Sequence, residues 1–424
     1  MNTTFPRTLV VRQRFPKSPS LDIRAVLLAE LDRIQAKFKP GARIAVAVGS
    51  RGITNLREIV SVVIARLKQA GAKPFIFPAM GSHGGATPEG QAEILAGYGI
   101  APSELGVPIL PSMEAERIGT TREGLEVFFC AEALRSDGVV IINRIKPHTD
   151  FAGSLGSGLI KMLVVGCGKH IGAAQFHRAA IRLGYEAVLR SMARCILDTV
   201  PVLGGVAIVE DQAHHTAQLA VLKADEIFRR EEELFREAAR LMPRLPFSDI
   251  DLLIVDRIGK NISGSGMDPN IIGRPVHGYS ALPDTASDDR VAVRRIFVRD
   301  LTPETHGNGI GIGMADFTTS RLVQQFNARI TFINALTSLT PQSVKIPIHF
   351  DTDREVLEKA LPTLAVPDPR AIKIVRILDS LNLATAEISE AYLDRLEARP
   401  DLEPVSILRE MSFDAAGNLL PLSC

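Results

Sequence analysis

The sequence has no tryptophan, only four cysteines, and almost no net charge, with 49 basic against 48 acidic residues in a chain of 424. The cysteines (Cys130, Cys167, Cys195 and Cys424) are scattered and form no CxxC pair, which excludes a disulfide framework and a thiolate zinc site. A reduced, cytoplasmic environment fits this usage. A net charge of +1 leaves no electrostatic footprint for nucleic acid or for an anionic membrane. No apolar run approaches the ~18–20 residues that a membrane span needs. The first twenty residues carry no long apolar core, so no signal peptide is expected. Internal repeats and low-complexity tracts are also missing. The lack of tryptophan carries no meaning of its own.

What is present is an ordinary globular composition, 46% apolar and 23% charged, in a chain too long for one core. Two domains are expected. The stretch 42–85 reads as a βαβ unit. Ile44–Val48 is a short apolar strand, Leu56–Gln69 has helical periodicity with Leu56, Ile59, Val60, Val63 and Leu67 on one face, and Pro74–Pro78 is the next strand. Strands separated by helices imply a mostly parallel sheet with ligands beyond the carboxyl ends of its strands. A later strand, Val139–Ile145, runs into KPH. Further on, 170–200 reads as one long helix, 203–223 as two strands and 224–241 as a charged helix. PRLPFSDID marks a boundary near 246. The domains are therefore 1–246 and 247–400, with 401–424 returning to the first. In the second domain the reading places strands near 251–256, 291–298, 329–334 and 371–377. It places helices near 313–326, 353–363 and 386–397.

Five stretches carry candidate chemistry. GSRG at 49–52 is a strand-to-helix turn whose Gly49, Ser50 and Gly52 offer backbone N–H groups to an anion, with Arg51 able to grip a carboxylate. An ordinary turn with a surface arginine is the plainer alternative. GSHGG sets His83 among glycines at a second strand end, and KPHTDFAG sets His148 at a third. Each is either an acid/base near neutral pH or an incidental loop histidine. Lys161 interrupts the apolar run GLIKMLVVG, and His177 lies sixteen residues beyond it. His170 and His177, seven apart, would share a helix face. That spacing suits a metal or a solvated stripe. Finally, GKNISGSGMDPNIIGR at 259–274 reads as a ligand loop of the second domain, with Lys260 and Arg274 placed to hold an anionic substrate.

Together these residues resemble the nickel-dependent lactate racemase family, over most of the chain. The family pattern is a GxHR-like loop, then PHxxAGFxGGxK, then a histidine sixteen residues past the lysine. GSH supplies His83, PHTDFAG supplies His148, and Lys161 is followed at the family's interval by His177. The resemblance implies two α/β domains with mostly parallel sheets and the active site in the interdomain cleft. It also implies a nickel-pincer nucleotide, a pyridinium-derived mononucleotide that holds nickel through carbon and sulfur. By resemblance Lys161 carries this cofactor through an amide-type bond, His177 ligates the nickel, His83 and His148 are the paired acid/bases, and Arg51 meets the substrate carboxylate. Enzymes of cofactor synthesis are then partners. The sequence departs from the pattern in two places. Thirteen residues separate His148 from Lys161, three more than the pattern has, with GSLGSG in place of GFxGG. The YQxxK-like segment after DQN is replaced by DPNIIGRPV, with Ile272, Gly273 and Val276 where tyrosine, glutamine and lysine would stand. Arg274 or Lys260 is expected to take over that anion contact, for a 2-hydroxy acid other than lactate.

The implied chemistry asks for these residue types. The C2–H of a 2-hydroxy acid is too weakly acidic for an imidazole or carboxylate base. Removing hydride, while a base takes the hydroxyl proton, gives a planar 2-keto acid, and no side chain accepts hydride. Return to either face needs two acid/bases and a cation on the carboxylate. Two alternatives stand beside racemisation. One is a metal hydrolase on His83, His148 and His177, with Asp150 as a carboxylate ligand. The other is a non-catalytic nucleotide- or anion-binding protein using GSRG and the 259–274 loop.

Overall fold

The structure is a computed structural model, which describes residues 4–35, 38–49, 52–149, 151, 153–276 and 291–422. It divides into two compact units, one of residues 17–148 and 152–242, the other of residues 1–16, 149–151 and 243–424. Each is an α/β structure with a mostly parallel mixed sheet. No helix among the described residues is long and apolar enough to cross a membrane.

The first unit holds a five-stranded sheet in the order Lys73–Pro78, Arg43–Val48, Gly138–Arg144, Val202–Glu210, Thr216–Lys223. The first four strands run parallel and the last is antiparallel to its neighbour. RIAVAV and GVVIINR are almost continuous apolar runs because these strands are covered on both faces. The helix Leu56–Gln69 has the expected bounds, and its predicted face of Leu56, Ile59, Val60, Val63 and Leu67 is buried against the sheet. The expected helix over 170–200 is two helices, Lys169–Leu183 and Tyr185–Thr199, broken at Gly184, whose φ of +85° lies outside the helical region.

The second unit holds an eight-stranded sheet in the order Ile348–Phe350, Phe317–Thr319, Ala292–Val298, Asp249–Val255, Ile374–Ile377, Thr385–Ser389, Thr8–Gln13, Leu402–Pro404. The first five strands are parallel and the last three join antiparallel. The domain reading is corrected at both ends of the chain. Thr8–Gln13 pairs with Thr385–Ser389, so residues 1–16 join the second unit rather than the first. Leu402–Pro404 pairs with that same strand, so the C-terminal segment completes the second unit's sheet instead of returning to the first.

Three local assignments also change. Residues 329–334, rich in β-branched and aromatic side chains, lie within the helix Ala328–Thr337, whose start is set by Asn327 accepting from the Ile330 amide at 3.2 Å. The expected helix over 386–397 is a strand, Thr385–Ser389, followed by a single turn, Leu393–Leu396. Its amphipathic pattern yields to pairing with strands on both sides. The expected helix over 313–326 begins with the strand Phe317–Thr319, and Thr319 then caps the shorter helix Ser320–Gln325.

Candidate active site

In the first unit, Arg43–Val48, Lys73–Pro78 and Gly138–Arg144 are parallel neighbours. Their carboxyl ends therefore deliver Gly49, the GSHGG loop and KPH to one edge of the sheet, where α/β folds bind ligands. The glycine at 49 is dictated by space. A Cβ there would lie 2.9 Å from Asn143 Oδ1 and 3.1 Å from Met162 Cε. Ser50 and Arg51, the proposed anion contacts, lie outside the described residues. Gly52 and Thr54, which follow them in sequence, are held by three hydrogen bonds. The Gly52 amide donates to Tyr98 Oη at 2.5 Å, Arg144 Nη1 donates to the Gly52 carbonyl at 2.9 Å, and the Thr54 amide donates to Glu210 Oε1 at 2.8 Å. Arg144 and Glu210 are themselves a largely shielded ion pair. Neither was singled out from sequence. The signal was a charge at the end of each of two otherwise apolar strands.

His83 is half-buried. Its amide donates to the Met80 carbonyl at 3.1 Å, and the Gly81 amide donates to the Gly166 carbonyl at 3.2 Å. The loop is thereby seated on the segment that follows Lys161. Thr87 then caps the helix Pro88–Gly97, as expected, accepting from the Gly90 amide at 3.1 Å.

Lys161 does not point to water. It is half-buried, and its Nζ is in direct contact with Nε2 of the buried His148. When the amine is an ammonium it can only donate, which puts the imidazole proton on Nδ1. The chain returns to His148 because the intervening loop is closed at its base, where Lys146 and Ser157 exchange two backbone hydrogen bonds of 2.8 Å. The additional residues before Lys161 are thus taken up inside a closed loop. Lys161 ends a helical turn, Leu159–Lys161, and a π-helical turn, Met162–Gly166, follows directly. Single π turns inside helices are frequent at functional sites. The start of this element is fixed by two side chains that sequence reading missed. Asn143 Nδ2 donates to the Gly158 carbonyl at 2.8 Å, and the Ile160 amide donates to Glu231 Oε2 at 3.0 Å. Glu231 is 0% exposed, and burial pushes its carboxyl up to about 8. It was hidden in the charged pattern of REEELFREAAR, where every acidic residue reads as solvent-facing.

His177 and His170 both lie on the helix Lys169–Leu183, yet His177 is half-buried and His170 is exposed. Cys167 is buried, and that burial raises its thiol far above the range where a thiolate forms. Among the described residues, no group of three or more His, Cys, Asp or Glu side chains could hold a metal ion. Asp150, the carboxylate of the hydrolase alternative, lies outside them.

Lys260 and Arg274 belong to the second unit. Lys260 Nζ donates to Asn334 Oδ1 at 2.8 Å in an exposed setting, where it is open to exchange for an anion. Arg274 is committed within the unit. It donates to the carbonyls of Met314 and Arg294, both at 2.9 Å, and pairs with Asp316 at 2.6 Å. Its guanidinium braces the loop's exit, and a substrate would have to compete with all three contacts.

The donor chemistry fits a nickel-pincer nucleotide. Such a group brings most of its own metal ligands and asks the protein for a nucleophilic amine and one neutral nitrogen donor, and not for a cluster of protein ligands. Lys161 offers the amine, placed beside an imidazole that can relieve it of a proton, and His177 offers the nitrogen.

Residues 13–187 match the family model described as the lactate racemase N-terminal domain. The chain is similar in fold to the lactate racemase apoprotein of Thermoanaerobacterium thermosaccharolyticum, with a TM-score of 0.53, 14% identity, and 89% of this chain and 99% of that one covered. It is similarly like a structural-genomics target from Thermotoga maritima, with a TM-score of 0.51, 14% identity and coverage of 87% and 98%. No curated protein matches the chain.

Proposed function

We propose that the chain is a racemase or epimerase of a 2-hydroxy acid that works with a nickel-pincer nucleotide bound covalently at Lys161. The observation that carries this reading is the contact of the Lys161 amine with the His148 imidazole, on the same sheet edge as the His83 loop. When bound, the cofactor supplies the acceptance and return of hydride that no side chain can provide. The rest falls to the chain. Lys161 would hold the cofactor through the amide-type bond, and His148 is placed to take the proton of the neighbouring amine. With Lys161 so engaged and uncharged, His148, its imidazole neutral after passing its proton to solvent, would accept the substrate hydroxyl proton from one side. His83 does the same from the other side, since the carbonyl of the planar keto acid turns between the two half-reactions. Arg51 would hold the carboxylate meanwhile. His177 would hold the nickel.

The test is isotopic. Single enantiomers of 2-hydroxy acids are incubated in deuterium oxide with protein produced alongside the cofactor-synthesis enzymes. Racemisation that keeps the C2 hydrogen, without solvent deuterium at C2, supports internal hydride return. Deuterium entering C2 at the rate of racemisation would refute it.

A further inference from the structure

Lys169 is an outlier on two counts. It is 0% exposed, and its backbone has a φ of +56°, a conformation that side-chain-bearing residues rarely adopt. Its surroundings are apolar or neutral: Phe77, whose ring centroid is 5.7 Å from Nζ, and the buried Cys130 and Cys167. Burial lowers its pKa, as expected for an ammonium taken out of water. A methionine would fill the same volume at far lower cost in desolvation. What a methionine lacks is a donor. Lys169 Nζ donates to the Pro78 carbonyl at 2.6 Å and lies 3.5 Å from Gln91 Oε1. Gln91 is also 0% exposed, and its Nε2 donates to the carbonyls of Gly81 at 3.0 Å and His83 at 3.3 Å.

These contacts have a direction. An amine of this kind presents donors to its neighbours, so it fixes which end of the Gln91 carboxamide faces it. The oxygen turns to the lysine and the nitrogen to the loop, where both its hydrogens meet carbonyls. Without the lysine the amide is free to turn, and its oxygen would then oppose the carbonyls of Gly81 and His83. Lys169 therefore holds the His83 loop at both ends, directly at Pro78 and through Gln91 at Gly81 and His83. It also opens the helix that carries His177, three residues after the π turn that follows Lys161.

We propose that Lys169 and Gln91 form a buried positioning relay, which holds the His83 loop in register with the element bearing Lys161 and His177. In its functional consequence the relay rests on the racemase reading; in its structural content it does not. The test compares full-length wild type with Lys169→Met, Gln91→Leu and the double variant. The first readout is amide hydrogen exchange in peptides covering 79–87, with the strands 43–48 and 138–144 as controls. The relay predicts exchange in 79–87 faster by about tenfold or more in each single variant, with the strands unchanged. It also predicts a double variant no faster than the worse single one, because the two residues act through one contact. The second readout is turnover of a 2-hydroxy acid by cofactor-loaded protein. Here kcat is expected to fall about tenfold or more while KM stays within about twofold, the mark of a misplaced acid/base rather than lost binding.

Unchanged exchange in 79–87, or equal acceleration across the whole sheet, overturns the relay. If the loop loosens as predicted but wild type turns over no 2-hydroxy acid, the relay stands and the racemase reading falls. If turnover is intact in both single variants and the loop stays protected, the relay falls and the racemase reading stands. Should Lys169→Met not fold, Gln91→Leu carries the same comparison with the lysine in place.

Discussion

Replacing Glu231 with glutamine should change how the stability of this protein depends on pH. The carboxyl is fully buried behind the first turn of the Lys161 element, and burial raises it from 4.5 to about 8, against the opposing pull of the Leu159 and Ile160 amides. Because the folded-state value is raised, the folded chain binds more protons than the unfolded chain between pH 4.5 and about 8. Stability from this group is then complete below the lower value and declines as pH climbs, by about 1.4 kcal/mol per pH unit, until the folded carboxyl itself ionises. Over the whole interval the loss amounts to about 5 kcal/mol. Glutamine has nearly the same shape, still offers an oxygen to the Ile160 amide, and does not titrate. Urea midpoints of wild type and Glu231→Gln, measured at intervals from pH 5 to 9, should diverge steadily, with the variant gaining on wild type up to about pH 8 and the gap constant above it. The difference between the two chains isolates this carboxyl from every other titrating group. Parallel curves would refute the reasoning, since they would mean that Glu231 is ionised in the folded protein throughout.

Other consequences follow from the same geometry. Gly158→Ala would set a Cβ 2.1 Å from Glu231 Oε1, and should cost about 1–3 kcal/mol in urea unfolding at pH 7, with much of the loss recovered when Glu231 is shortened to alanine. Glu210→Gln or Arg144→Ala breaks a shielded ion pair that braces Gly52 and Thr54; stability should fall by about 3 kcal/mol, and KM for the hydroxy acid should rise more than kcat falls. His148→Gln should slow turnover of loaded protein by about 10²–10⁴-fold and also slow attachment of the cofactor, followed as adduct formed against time. His177→Ala should retain the adduct on Lys161 but lose nickel, as read by metal analysis of the purified protein.

The parts of this molecule that depend on local pattern were legible in the sequence. Leu56–Gln69 announced itself by period, and the strand ends carrying Gly49, His83 and His148 by apolar runs stopping at glycine or proline. What depends on distant pairing was not. Nothing in TLVVRQ says that it will lie between Thr385–Ser389 and Leu402–Pro404, and nothing in the amphipathic pattern of 386–397 reveals that its first half is flanked by strands. Residues 329–334 looked like a strand from their side chains, although Asn327 just upstream was a usable helix-start signal. At the site, the spacing of Lys161 from His177 was visible, but the contact of Lys161 with His148 needed the loop closure between Lys146 and Ser157. Glu231 and Lys169 were missed for one shared reason. A charged residue in a charged or glycine-rich stretch reads as solvated, and only the packing reveals that these two are buried.

The most direct test of the central claim is peptide-mapping mass spectrometry of the chain, produced together with the cofactor-synthesis enzymes and assayed for racemisation in the same preparation. The account predicts that active protein carries a nickel-containing organic adduct on Lys161 and on no other lysine, Lys169 included. Full racemase activity in protein whose Lys161 is unmodified would contradict it.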